Sequence, residues 1–193
     1  MAVIRLDMTM SLDGFVAGPA DSPDAPMGEG GFRLFNWLDL RDEPGPSGEV
    51  YAEVGATRAV LAGRRTYDHA DGWQGDHHDG VPIFVLTRQV PADEPPANVR
   101  FVSDVRESAA LARAAAGDAA VLVHGAGAGQ ALLRAGEVDE IDLHVVPVLL
   151  GQGRRLFDGL AAGTVELELV RSVATPDDVD LAQRVLHLRY RVR

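Results

Sequence analysis

Residues Val121 to Phe157, VLVHGAGAGQALLRAGEVDEIDLHVVPVLLGQGRRLF, constrain the fold more than any other stretch of the chain. The apolar run Ala119 to Val123 predicts a buried strand, and Gly125, Gly127 and Gly129 predict a turn. Gln130 to Ala135 predicts a short helix stopped by Gly136, and Ile141 to Leu150 predicts a second strand. A strand that passes through small residues into a helix N-terminus gathers free backbone N–H groups at one point, where a phosphate or another anion can be held. The same residues also suit a plain tight corner. The fingerprint G-x-G-x-x-G does not fit: Gln130 stands where the third glycine belongs, and no acidic residue closes a second strand about 20 positions later. Any phosphate grip must therefore draw on other parts of the chain.

With 193 residues, 46% hydrophobic and 24% charged, the chain is expected to form one domain with a full core. Cysteine is absent, which excludes disulfides, thiolate catalysis and cysteine metal sites. The apolar runs are strand-length and no leader is evident, so the expectation is a cytoplasmic protein with no membrane partner. A formal net charge of −11 disfavours nucleic acid, because phosphate backbones reward clustered cations. All 18 basic residues are Arg, so Schiff-base and lysine-base chemistry are excluded, and the pair Arg64-Arg65 stands out as an anion contact.

Val3 to Met10 predicts a buried strand turned by Ser11-Leu12-Asp13-Gly14, with Phe15-Val16-Ala17 resuming it. Residues 18–31 read as a loop. Phe32 to Leu40 carries three aromatics at near-helical spacing and predicts a helical turn or lid beside a pocket, with simple core packing as the plainer and preferred reading. Ser47 is placed to cap a helix ending near Gly55. Arg58 to Ala62 predicts a strand before the short helix opened by Gly63-Arg64-Arg65-Thr66-Tyr67. Asp68 to Gly80 holds three histidines and four aspartates without the i, i+4 pairing of a helical metal site, and is expected to be a solvated loop with no metal. Val81 to Leu86 and Val99 to Val102 predict strands, and Ser103 or Asp104 caps an alanine-rich helix ending near Gly117. Val165 to Val173 and Gln183 to Val192 predict a terminal antiparallel pair. The alternation implies a three-layer α/β/α domain on a mostly parallel sheet with antiparallel C-terminal strands.

SLDGFVAG, GRRTY, VLTR, VHGAG and VDEIDLHVVPVLLGQGRRLF, in that order, resemble the dihydrofolate-reductase-like superfamily. Within it they are most similar to the C-terminal reductase domain of the bacterial bifunctional deaminase-reductase of riboflavin biosynthesis. The resemblance spans Val3 to Val192 and implies a reductase that uses NADPH on a small-molecule substrate, a planar heterocycle or a ribosylamino-pyrimidine. Carried over by position, it assigns Gly63, Arg64, Arg65 and Thr66 to the phosphates, Thr87 and Arg88 to the adenosine 2′-phosphate, and Ser103 to the adenine side. His124, Gly125, Ala126, Gly127 and Ala128 fall under the pyrophosphate and nicotinamide. Where family members carry a Gly-Gly pair joined by a cis peptide, this chain has His124-Gly125. The branch also resembles dimers, and the apolar segment Val145 to Leu150 is consistent with a homodimer.

Hydride transfer to such a substrate also requires a proton, delivered by an acid within hydrogen-bond reach. Asp13, Asp39 and His144 are the candidates, with plainer readings beside them: Asp13 as a turn-forming carboxylate, Asp39 as a helix-surface charge, His144 and His124 as structural histidines. No carboxylate in the first 50 residues matches the one a dihydrofolate reductase places against its pterin, and Arg33 and Arg41 are the only early-loop cations for a substrate phosphate. A nucleotide-binding module without catalysis, and an oxidoreductase using a flavin-like carrier, therefore remain open.

Overall fold

The computed structural model describes residues 1–160 and 164–193. Eight strands form one sheet: β1 (Ile4–Ser11), β3 (Ala59–Gly63), β4 (Ile83–Leu86), β5 (Val99–Val102), β6 (Val121–His124), β7 (Glu140–Val146), β9 (Leu167–Ala174) and β10 (Leu186–Val192), in the order β5-β4-β3-β6-β1-β7-β10-β9. Pairing is parallel from β5 through β7, whereas β10 runs antiparallel to both β7 and β9. The short strands β2 (Phe15–Ala17) and β8 (Arg154–Arg155) pair separately over the sheet's C-terminal end. A mostly parallel α/β sheet with an antiparallel C-terminal pair is therefore the observed architecture.

The two faces of the sheet follow from alternation. In β1, Ile4 and Leu6 enter a core with α3 (Val105–Ala116) and α4 (Ala126–Ala135), whose Ala109, Ala112, Ala128 and Leu132 are buried there. Small helix residues let the helices sit close: a Cβ on Gly129 would come within 2.7 Å of Leu6 Cδ1. The alternate residues of β1 are Arg5, Asp7, Thr9 and Ser11, and they share the opposite face with their register partners. Asp7 lies beside Asp142, which lies beside Arg189; Thr9 lies beside His144, which lies beside His187. This polar face is covered by the 3-10 helix Gly31–Leu40 and by α1 (Pro46–Gly55), with α2 (Arg64–His69) over the other half of the sheet.

Several local expectations change. α4 begins at Ala126, so Gly127 and Gly129 lie inside the helix and not in a turn before it. Ser47 is the second residue of α1, buried and bonded to His187, and Gly45 precedes the helix in its place as cap. Asp68 to Gly80 is only partly a solvated loop: it holds the end of α2 and a 3-10 turn Asp71–Gly75, and it tucks Trp73, His77 and His78 against the domain. β7 ends at Val146, short of Leu150. β9 begins at Leu167, not Val165, and exposes Leu167, Leu169 and Val170 at the sheet edge. The peptide bonds of the described residues are all trans, His124-Gly125 included.

Candidate active site

The parallel strands β1, β3 and β6 end side by side, and the crevice beyond their carboxyl ends is where open α/β sheets bind ligands. There a cavity of about 430 Å³ opens between the sheet, the 3-10 helix Gly31–Leu40 and α2. Asp7 and His124 line it at the sheet, Trp37 and Phe35 come from the 3-10 helix, and Trp73 and His77 close the far side. A shallower groove of about 480 Å³ runs along the start of α4, past Gly127, Gln130, Arg134, Arg154 and Arg155. Ala126 and Arg154 line both.

The corner between them is tight. Gly125 has φ +99°, and a Cβ there would overlap Thr66 Oγ1; a Cβ on Gly63 would touch Ala128 at 3.5 Å. Gly63, Thr66, Gly125, Ala126 and Ala128 are thus brought to one point. The first intrahelical bond of α4 is donated by Gly129 to Gly125, so the N–H groups of Ala126, Gly127 and Ala128 lie before it at the positive end of the helix dipole. Nothing crowds Gly127, which is exposed. Thr87 and Ser103 follow the adjacent strands β4 and β5, and Thr87 N–H donates to Val102 O at 2.9 Å. With strands about 4.8 Å apart, the Gly125 corner and Ser103 are separated by about 14 Å along one sheet edge.

The arginines are differently engaged. Arg64 donates to Asp68 at 2.7 Å and lies over the Phe101 ring. Arg65 is tied to Asp21, which also accepts two hydrogen bonds from Arg154 at 3.2 Å, so a three-member ion pair stands at the cavity mouth. Burial pushes the Asp21 carboxyl up, but Arg154 and Arg65 outweigh it and hold the group below the ordinary range. Arg88 is exposed and forms no ion pair or side-chain hydrogen bond among the described residues.

Of the three candidate acids, none stands free in the cavity. Asp13 is half-buried and accepts from Ser11 Oγ–H at 2.6 Å, Leu150 N–H at 3.1 Å and Gly151 N–H at 2.7 Å. The Ser11 hydroxyl and those two amides hold its carboxyl below the usual range, in the ionised form. Asp39 is exposed and bonded to Gln183, away from the cavity. His144 is buried behind the wall, with Nε2 3.2 Å from Asp7 Oδ2 and Nδ1 2.9 Å from His187 Nδ1; His187 Nε2 meets Ser47 Oγ at 3.1 Å. Trp37 packs on both imidazoles and donates to Thr9.

Asp7 and Asp21 are the carboxylates among the described residues that line the cavity; Asp21 is paired with Arg65 and Arg154 at its mouth, and Asp7 stands at the sheet, where the motifs of the sequence did not point to it. Burial pushes its carboxyl up, yet His144, with smaller contributions from His124 and Arg5, brings it below the usual range. The available signal was the strict alternation of IRLDMTMS, which places Asp7 on the face of Thr9 and Ser11. His77 stacks on His124, and burial drives it down to about 3; burial also lowers His124. Both imidazoles are neutral at pH 7. The described residues contain no cluster fit to hold a metal ion and no helix long and apolar enough to cross a membrane.

A family model described as the RibD C-terminal domain matches residues 77–181, more than half of the chain. Among solved structures, the chain is similar to a riboflavin biosynthesis protein of Shewanella sp. PV-4, with TM-score 0.72, 21% identity, and 100% of this chain and 99% of that one covered. It is also similar to the dihydrofolate reductase of Enterococcus faecalis, complexed with NADP(H) and RAB-propyl. There the TM-score is 0.61 and the identity 14%, over 98% of this chain and 96% of that one. No curated protein matches the chain by sequence.

Proposed function

Since this chain belongs to the RibD C-terminal domain family, a reductase-like family on the dihydrofolate-reductase fold, we propose that it is an NADPH-dependent reductase of a planar heterocycle or a ribosylamino-pyrimidine. The observation that carries this reading is the junction at Ala126 and Arg154, where an arginine-lined groove at a helix N-terminus meets the aromatic-lined cavity. The dinucleotide, when bound, supplies the hydride. The groove suits its pyrophosphate: the start of α4 at Ala126 and Gly127 and the side chains of Arg134, Arg154 and Arg155 line it, with Asp158 the one carboxylate among its described lining residues. Thr66 and Gly63 flank the corner, and Thr87, Arg88 and Ser103 continue along the sheet edge toward the adenosine end, with exposed Arg88 placed for a 2′-phosphate. Trp37, Trp73 and Phe35 offer flat faces for a heterocycle and exclude water from it.

Asp13, on this reading, is a clamp that ties the SLDG turn to Leu150 and Gly151, with its negative charge near the cavity entrance; Asp39 has no part in the chemistry. One observation favours a non-catalytic reading: the carboxylates of Asp13 and Asp39 are committed elsewhere, so the cavity lacks the acids that sequence motifs supply. The apolar edge strand β9 also supports a homodimer, which sizing with light scattering tests. The deciding experiment for function is calorimetric titration with NADPH and NADH, followed by a screen of NADPH oxidation against nitrogen heterocycles. Micromolar NADPH binding with turnover supports a reductase, binding without turnover on any substrate favours the non-catalytic module, and failure to bind at millimolar NADPH rejects both.

A further inference from the structure

Two stacked imidazoles of the cavity wall, His77 and His124, are wired so that their free nitrogens accept. His124 Nδ1 lies 3.1 Å from the Asp7 carbonyl oxygen, which can only accept, so Nδ1 carries the proton and Nε2 keeps its lone pair. His77 is fixed less directly. Its Nδ1 lies 2.8 Å from His78 Nδ1, and His78 Nε2 lies 3.2 Å from both the carbonyl oxygen and the hydroxyl oxygen of Thr57. Thr57 is buried and its hydroxyl donates to Val54 O at 2.7 Å, so both Thr57 oxygens are acceptors toward His78. A neutral His78 therefore carries its proton on Nε2 and accepts at Nδ1, where His77 donates from Nδ1–H. His77 Nε2 is left with no hydrogen bond among the described residues, whose only sealed and unpartnered side-chain N and O atoms are in Arg33 and Arg171. Its lone pair is thus open, on a ring that lines the cavity between Trp73 and His124.

We infer that His77 is a specificity-determining residue that accepts at Nε2 from an N–H of the ligand, so that the cavity selects flat rings carrying this donor over rings of the same shape that lack it. This rests on the proposed reductase reading for the role of the cavity, and names a feature of the substrate it recognises. His124 stands at the Gly125 corner assigned to the cofactor, which leaves His77 to the substrate. Burial, reinforced by His124 and His78, drives the His77 ring down to about 3, so the acceptor persists at neutral pH. Trp73 packs edge-on against His77, with centroids 4.9 Å apart, and holds the ring plane. His78 and Thr57 are positioning residues: they act on the ligand only through the tautomer they impose on His77. A ring that offers a lone pair where the N–H belongs meets a second lone pair and leaves both unpaired.

Indole and benzofuran, uncharged rings of one shape that differ by a single N–H, test the inference on the full chain. Titrations followed by NMR are expected to show indole binding about 3- to 10-fold tighter, with His77→Phe bringing the two within about twofold. ¹⁵N-histidine spectra at pH 8 are expected to show the proton on Nδ1 in His77 and on Nε2 in His78, and indole should shift the His77 Nε2 resonance. His78→Phe should move the His77 proton to Nε2 and abolish the preference for indole. His78→Asn, whose amide oxygen accepts in place of Nδ1, should keep both. A His77 proton on Nε2 in the parent, equal affinity for the two rings, binding of neither, or an indole preference that survives His77→Phe overturns the inference. The tautomer is read in the unmodified protein, so it stands even if a variant fails to fold. NADPH titrated into the same samples keeps the two readings apart: no NADPH binding by the parent sinks the reductase, and retained binding leaves only the His77 assignment at fault.

Discussion

Gly125 and Thr66 occupy one another's van der Waals margin: a Cβ on residue 125 would overlap Thr66 Oγ1 and lie 3.1 Å from Thr66 Cβ. The backbone at 125 also sits at φ +99°, where an L side chain is strained. Gly125→Ala is therefore expected to lower stability by about 1–3 kcal/mol and to weaken NADPH binding. Adding Thr66→Ala should recover part of the stability by clearing the overlap and leave the backbone strain in place. Urea denaturation of the single and double variants checks this; a Gly125→Ala protein as stable as the parent would refute it.

Arg88 stands exposed after β4, without the ion pairs that occupy Arg64 and Arg65. A guanidinium so placed is available to an incoming anion, and a 2′-phosphate is what separates NADPH from NADH. Arg88→Ser should weaken NADPH about 10-fold and leave NADH affinity within about twofold. Equal loss for both cofactors in paired titrations would move the 2′-phosphate site elsewhere on the edge.

The three hydrogen bonds into Asp13 give it a measurable signature. In Asp13→Ala, the amides of Leu150 and Gly151 lose their acceptor, and their hydrogen exchange should accelerate while amides in β1 and β7 keep their protection. Asp13→Asn should fall between, because its amide oxygen accepts one N–H but its NH₂ cannot accept another. Unchanged exchange at both positions would return Asp13 to consideration as a free acid.

The sheet was legible in the chain because parallel buried strands read as apolar runs: Val121 to Val123, Ile83 to Leu86 and Ala59 to Ala62 are all of this kind. The Gly125 corner was legible for a related reason, since glycines at a strand-to-helix junction have few other uses. Asp7 was not, because its meaning lies in register. Only when β1 pairs with β7, and β7 with β10, do Asp7, His144 and His187 become neighbours, across separations of 137 and 43 residues. Asp21 was missed similarly: a carboxylate in a Gly/Pro loop gives no local sign that Arg65 and Arg154 will converge on it. Asp13 was found for its motif, but its hydrogen bonds to Leu150 and Gly151 depend on a loop more than a hundred positions away.

His77 and His187 make stability depend on pH in a definite direction. Burial drives both imidazoles from 6.5 down to about 3, with His124 and His78 beside His77, and His144 and Arg171 near His187, adding to the effect. The unfolded chain therefore binds more protons than the folded one between these limits, so stability is complete above about pH 6.5 and falls as pH drops toward 3. The window from pH 6.5 to 5 isolates the histidines, because the depressed carboxylates of Asp7, Asp21 and Glu53 begin to contribute only below it. Across that window each histidine costs at most about 2 kcal/mol, less for half-buried His77 because solvent screens it. Denaturation free energies at pH 7.5, 6 and 5 should decline accordingly, and His77→Gln should show a shallower decline than the parent. A stability that is flat, or that rises on acidification, would mean that these rings already carry protons in the folded protein.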